Sequence, residues 1–229
     1  MSPVAAATLR LAHRGDWRRA PENTLAAFLA ALRVPGSDGL EFDVRIAVDG
    51  TPVVIHDETL LRVQGRPERV RDVTSAALAA LGVPALATVL GAVPRTAFLD
   101  IELKGEHGPG VVEVIAATRA AGPALSRAVV SSFDTETLER VASARPGWSR
   151  WLNADDLAAA TIATALDLRC AGVSADWRAI DRASAARVAA AGLELAAWTV
   201  RRMPTYRRLA DLGVVAICAE AAALDRGPG

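Results

Sequence analysis

The sequence predicts an α/β chain folded as a (β/α)8 TIM barrel with a β-hairpin extension after strand 2, and three observations carry that expectation. Nine apolar, β-branched runs alternate with alanine-rich helical segments along the 229 residues, the pattern of parallel strands joined by crossover helices. One of the nine, Pro52–His56, follows Gly39–Ile46 through the turn signal Asp49-Gly50, so it runs antiparallel to its predecessor and cannot join an all-parallel sheet. Removing it leaves eight strands, the number that closes a barrel and leaves no open edge. A doubly wound open sheet would carry a glycine-rich phosphate turn after its first strand, and His13-Arg14-Gly15-Asp16 is not one.

In chain order, the first strand is Leu9–His13, and the helix Thr24–Arg33 follows with Asn23 or Thr24 as its cap. Gly39–Ile46 is the second strand and Pro52–His56 the hairpin arm; the charged loop Arg62–Arg71 reads as a solvated excursion. Helices Ser75–Leu81 and Leu86–Val93 lead to the strand Ala97–Leu103, and the helix Val111–Ala121 returns the chain to Ala128–Phe133. Helix and strand then alternate as Thr135–Ala144 and Ser149–Leu152, Asp156–Leu166 and Ala171–Ser174. The last two units are Arg182–Ala191 with Glu194–Val200, and Met203–Leu212 with Val214–Cys218. No linker or low-complexity stretch interrupts residues 1–229, so a single domain is expected, with a frayed tail at Asp225–Gly229.

Hydrophobic residues make up 52% of the chain, much of it alanine, which is ample for a core. Lys+Arg and Asp+Glu both number 26, so nothing in the charge points to nucleic acid or an anionic membrane surface. No run approaches the roughly 18 apolar residues of a membrane span, and the stretch before Arg10 is too short for a signal-peptide core. A soluble, cytoplasmic protein with no stable membrane insertion is expected; the oligomeric state is not encoded in these signals. Cys170 and Cys218 lie far apart without metal or redox spacing and read as buried, reduced thiols.

The chemistry concentrates between Leu11 and Asp57. Glu41 and Asp43 lie two apart on an apolar strand and so share a face. If Asp49 and Gly50 form a two-residue turn, Val48 faces Thr51 and Asp43 faces His56, with opposed side chains about 5 Å apart on one side of the pair. Two carboxylates that close repel each other unless a cation or proton lies between them, and a hard divalent cation is the natural occupant. Phe98–Lys104 repeats the anomaly, with Asp100, Glu102 and Lys104 alternating with apolar residues on a central strand. Charge there is costly unless paired or metal-bound. Glu102 is expected as a third carboxylate, and Lys104 as a cation for substrate or an internal partner of a glutamate.

His13 and Trp198 end their strands at the face that carries catalysis in barrels; Trp198 is either a cavity wall or core packing. The fork of Arg14 suits a phosphate oxygen, or a salt bridge to Glu22 or Asp16, and Glu22 is a candidate for the same pocket. Ser131, Ser132 and Asp134 lack the Gly-x-Ser-x-Gly elbow of a nucleophile, and His107 reads as an exposed loop histidine.

Three carboxylates for one hard cation, two flanking histidines and Arg/Lys for anion charge describe phosphoester chemistry. The donor set suits Ca2+, Mg2+ or Mn2+. In these residues the chain resembles the glycerophosphodiester phosphodiesterase family, barrels related to phosphatidylinositol-specific phospholipase C. The matching pieces are His13-Arg14-Gly15, Glu22-Asn23-Thr24, Glu41-x-Asp43, Val54-Ile55-His56-Asp57, Glu102-x-Lys104, Ser132-Phe133 and Trp198-Thr199-Val200, from Leu9 to about Val215. The resemblance implies one divalent metal, Ca2+ or Mg2+, on Glu41, Asp43 and Glu102, with His13 and His56 as the acid/base pair. It implies phosphate contacts from Arg14 and Lys104, and Trp198 on the glycerol side of a small-molecule site. It also implies a cyclic phosphate route ending in glycerol 3-phosphate and an alcohol. The chain departs from the family where Arg201 stands for a common asparagine, and where Cys218-Ala219-Glu220-Ala221 replaces Thr-Asp-x-Pro. Two other readings compete: lysophospholipase D-like action, which needs an apolar groove, and a catalytically silent binding barrel.

Overall fold

Eight parallel strands close on themselves in the computed structural model, which describes residues 7–105 and 109–225. The elements are β1 (Leu9–His13), α1 (Leu25–Ala31), β2 (Gly39–Ile46), β3 (Pro52–Val54), α2 (Leu61–Gln64), α3 (Ser75–Ala80), α4 (Leu86–Ala92), β4 (Phe98–Leu103) and α5 (Pro109–Arg119). They continue as β5 (Ala120–Ala121), β6 (Ala124–Leu125), β7 (Ala128–Ser132), α6 (Thr135–Ala144), β8 (Arg150–Ala154), α7 (Ala159–Asp167) and β9 (Gly172–Asp176). The last are α8 (Arg182–Ala190), β10 (Glu194–Val200), α9 (Met203–Asp211) and β11 (Ala216–Ala219). Strand β1 bonds to both β2 and β11, so the circuit β1-β11-β10-β9-β8-β7-β4-β2 has no open end.

Each strand puts alternate residues on opposite faces, and the two faces build different cores. Leu40, Phe42, Val44, Leu99 and Ile101 point outward and pack with Phe28 of α1, Val89 of α4 and Ile115 of α5. Inward residues near the strand starts, Leu11, Val129, Trp151, Ala196 and Ala216, fill the lower barrel with an apolar plug. Phe98 stacks on Trp151 there, ring centroids 6.1 Å apart. The inward positions farther along are mostly polar, Glu41, Asp100, Glu102, Asn153 and Ser174 among them, and they line the site. Closure also depends on Gly39, where a Cβ would sit 1.9 Å from the Phe98 carbonyl oxygen.

The hairpin differs from the expectation by one residue. β2 and β3 pair Val44 with Val54, Arg45 with Val53 and Ile46 with Pro52. Ala47 N–H donates to Thr51 O, so the loop is Val48-Asp49-Gly50, with Gly50 at φ +78°. A three-residue loop of this kind accommodates an extra left-handed residue, and a one-residue slip exchanges the faces of the arm. Asp43 therefore lies across from Ile55, whose N–H it accepts at 2.9 Å. The arm ends at Val54, and the chain then bends, which carries His56 to the barrel mouth.

The excursion Arg62–Arg71 is more than a solvated loop. It includes part of α2, ended by Gly65 at φ +70°, and Val70, which is buried with Val53, Ile55, Leu60, Leu78 and Val83 in a second small core. The helix expected to reach Ala121 stops at Arg119, and β5 and β6 form a short ribbon about the Gly122-Pro123 turn. Thr24 caps α1 by accepting from Ala27 N–H, so the choice between Asn23 and Thr24 is settled. Cys170 and Cys218 are buried free thiols. His107 and the tail beyond Asp225 lie outside the described residues. Among the described residues no helix is long and apolar enough to cross a membrane.

Candidate active site

The strand registers bring the acids together. His13 lies beside Glu41 across β1 and β2, while Glu41 lies beside Asp100 and Asp43 beside Glu102 across β2 and β4. Glu41, Asp43 and Glu102 each offer a carboxylate oxygen within 4.8 Å of the others. Asp43 is fully buried and Glu41 nearly so. Two cations lean on this group. Lys104 Nζ is 2.6 Å from Glu102 and 3.1 Å from Asp43, and Arg14 Nε is 3.2 Å from Asp43. Asn23 donates to Asp43 Oδ2 at 2.8 Å.

Those contacts divide the charge unequally. Burial would raise Asp43, but Lys104 and Arg14 outweigh it and hold that carboxyl below its ordinary value. At Glu41, Arg14 opposes but does not prevail. Burial, then Asp43 and Glu102, push it well above the ordinary range, and its buried Oε1 accepts no hydrogen bond. Burial and Asp43 also raise Glu102. Burial pushes Asp100 up to about 7 despite the hydrogen bond from Ser131. An excess of hard oxygen donors with an orphaned buried oxygen fits a divalent cation.

The loop after β1 aims two groups. Arg14 and Gly15 take left-handed φ of +58° and +85°; Arg14 N–H donates to Glu41 O at 2.9 Å, and Arg14 O accepts from Asn23 N–H at 3.0 Å. Arg14 binds Glu22 at 3.0 Å, while Asp16 is taken by Arg18 at 2.7 Å, so of the two expected salt-bridge partners the first is found. Glu22 also meets Arg62 at 2.7 Å, which ties the excursion to this loop.

Each histidine has a carboxylate behind it. His13 Nδ1 is 2.5 Å from Glu220 Oε1, and its Nε2 lies 3.4 Å from Thr199 Oγ1 and 3.7 Å from Glu41 Oε2. Arg201 Nε holds the other Glu220 oxygen at 2.6 Å. Burial would raise Glu220, but His13 and Arg201 overcome that and hold it at about 2. His56 Nδ1 is 2.6 Å from Asp57, which Arg62 grips from the other side at 2.6 Å. Burial lowers His56 below its ordinary value, with Asp43 and Asp57 opposing. A carboxylate at Nδ1 fixes the tautomer and leaves Nε2 for proton exchange.

His13, Arg14, Glu41, His56, Glu102, Lys104 and Trp198 line one cleft of about 210 Å3, with Phe133 and Thr199. Asp43 lies buried against them through Arg14 and Lys104. Trp198 anchors its indole N–H on Ser174 O at 2.9 Å and meets Phe133 edge-on, centroids 5.5 Å apart, so it is a wall of the cavity. Ser131 and Ser132 spend their hydroxyls on Asp100 and the Leu103 carbonyl. All eight residues expected from the sequence therefore gather here. Sequence reasoning gave no role to Glu220, Asp57 or Thr199. The one available signal was that Glu220 and Arg201 mark the two departures from the family pattern, and the structure pairs them.

A model of the Glycerophosphoryl diester phosphodiesterase family matches residues 13–223. A glycerophosphodiester phosphodiesterase of Caldanaerobacter subterraneus is 34% identical over 61% of this chain; the match spans 63% of that relative's length, just under two thirds. One from Bacillus subtilis is 26% identical over 95% of this chain and 88% of its own. An Oleispira antarctica phosphodiesterase, solved in complex with the product sn-glycerol-3-phosphate, superposes with a TM-score of 0.83 at 25% identity over 93% of each chain.

Proposed function

The chain belongs to the Glycerophosphoryl diester phosphodiesterase family, and from that premise we propose that it hydrolyses glycerophosphodiesters to glycerol 3-phosphate and an alcohol. The observation that carries this reading is the meeting of two carboxylate-backed histidines with three clustered acids in one cleft. The product named in the Oleispira complex agrees with it.

Glu41, Asp43 and Glu102 would hold one divalent metal, Ca2+ or Mg2+, with Mn2+ also suited to the oxygen donors. When bound, the metal supplies charge neutralisation for the phosphate and steadies charge developing on its oxygens.

The rest falls to the chain. Arg14 and Lys104 face the cleft as cations for the phosphate, although each is also tied to Asp43. His56, whose neutral form burial favours, takes the proton of the attacking hydroxyl on the neighbouring glycerol carbon. His13, oriented by Glu220, hands a proton to the leaving alcohol oxygen. The P–O bond to that alcohol breaks as the ring P–O bond forms, giving a cyclic phosphate. Water then opens the ring with the two imidazoles exchanging roles. Trp198 and Phe133 present apolar surface to the glycerol carbons. Two clefts beside this one, sharing Lys104 or Trp198 and Thr199 with it, each carry three arginines in their lining, which disfavours the lysophospholipid reading.

Hydrolysis of glycerophosphocholine, with and without chelator, on wild type and His13→Ala tests the proposal. Activity lost under both treatments supports it; activity indifferent to both ends it.

A further inference from the structure

Trp198 and Thr199 bound a second cleft as well as the catalytic one. We propose that this second cleft is a subsite for an anionic group, best a phosphate monoester, carried by the leaving alcohol of the substrate. It measures about 410 Å3, and its other lining includes Trp177, Arg178, Arg201 and Arg202. Thr199, which borders both clefts, lies 3.4 Å from Nε2 of His13, the group that faces the leaving alcohol, so a substituent on that alcohol has this space beside it.

The charge there is lopsided. Three guanidiniums line it with one carboxylate, Asp176, which Arg178 pairs at 3.2 Å, and a second, Glu220, lies behind Arg201. Arg201 uses its Nε on Glu220, and its side chain remains 69% exposed, so its terminal amino groups stay available. Arg202 is exposed and has no ion pair among the described residues. It also opens α9, nine residues long, whose first turn has no side-chain cap and adds positive potential. A planar guanidinium fork matches a phosphate group. A quaternary ammonium is poorly served. The Arg178 guanidinium already lies 4.8 Å from the centre of the Trp177 ring, and three cations repel a fourth.

This inference rests on the phosphodiesterase reading. Its test compares kcat/KM for glycerophosphoinositol 4-phosphate, glycerophosphoinositol and glycerophosphocholine. The first two differ only by the phosphate. Wild type is expected to favour the phosphorylated substrate over its parent by about tenfold, with choline poorest and the preference shrinking as salt rises. Arg178→Ala/Arg202→Ala should bring the ratio to about one; Arg201 is spared because it touches Glu220. The readout is a ratio, so partial misfolding cancels. Equal rates in wild type, a choline preference, or a ratio that survives both substitutions overturns the subsite and leaves the phosphodiesterase standing. No hydrolysis of any of the three overturns both.

Discussion

Glu220 Oε1 sits 2.5 Å from His13 Nδ1, across 207 residues of sequence. The carboxylate is buried on the far side of the imidazole from the cleft, so it orients the ring without touching substrate. Glu220→Gln keeps the shape and loses the charge. It should lower kcat by about 100-fold, the low end of what a positioned proton carrier contributes, with KM little changed and the circular dichroism spectrum intact. Glu220→Asp should recover part of the loss. A kcat equal to wild type would remove Glu220 from the mechanism.

Asp57 hydrogen-bonds His56 and favours its charged form, against the burial that disfavours it. Asp57→Asn removes that support. The imidazole then loses its proton more readily, so the acid limb of the kcat/KM profile should move to lower pH. Steady-state rates across the acid and neutral range measure it. A limb that stays in place or moves upward would mean His56 is not the base.

In the metal-free protein Glu41 faces Asp43 and Glu102, and Arg14 only partly offsets them. Glu41→Gln relieves that repulsion, so the chelated variant should melt higher than chelated wild type by about 2–4 °C per kcal/mol gained. Ca2+ or Mg2+ should raise the melting temperature of wild type and leave the variant nearly unmoved. A variant stabilised by metal as much as wild type would place the ion elsewhere.

Gly15 has φ +85°, and a Cβ there would lie 2.7 Å from the Ala27 backbone. Gly50 has φ +78° with nothing within 4 Å. Both Gly→Ala changes carry the left-handed strain of about 1 kcal/mol, but only Gly15→Ala adds a backbone collision at the loop that aims His13 and Arg14. Urea melts should show Gly15→Ala clearly the less stable, with activity falling alongside. Equal costs would show that the loop gives way to admit the methyl.

The sequence made the barrel legible because alternation within one strand is local. Glu41 and Asp43, or Asp100 and Glu102, share a face by backbone geometry alone, and charged residues on an apolar strand announce a site. The hairpin departs from the expected register by one residue because Asp49-Gly50 fits both a two-residue turn and the end of a three-residue loop. Packing of Val53 and Ile55 into the small second core goes with the loop that forms. His56 still reaches the cleft, since the chain leaves the strand before it.

What the sequence determined by itself was the set of groups: eight strands, three clustered acids, two imidazoles and the cations beside them. What tertiary structure decided was their second partners, Glu220 behind His13 and Arg201 behind Glu220, and the arginine-lined cleft beyond Trp198. The reason is closure. β11 returns to pair with β1, and no local pattern specifies which side chains that distant pairing will set against each other.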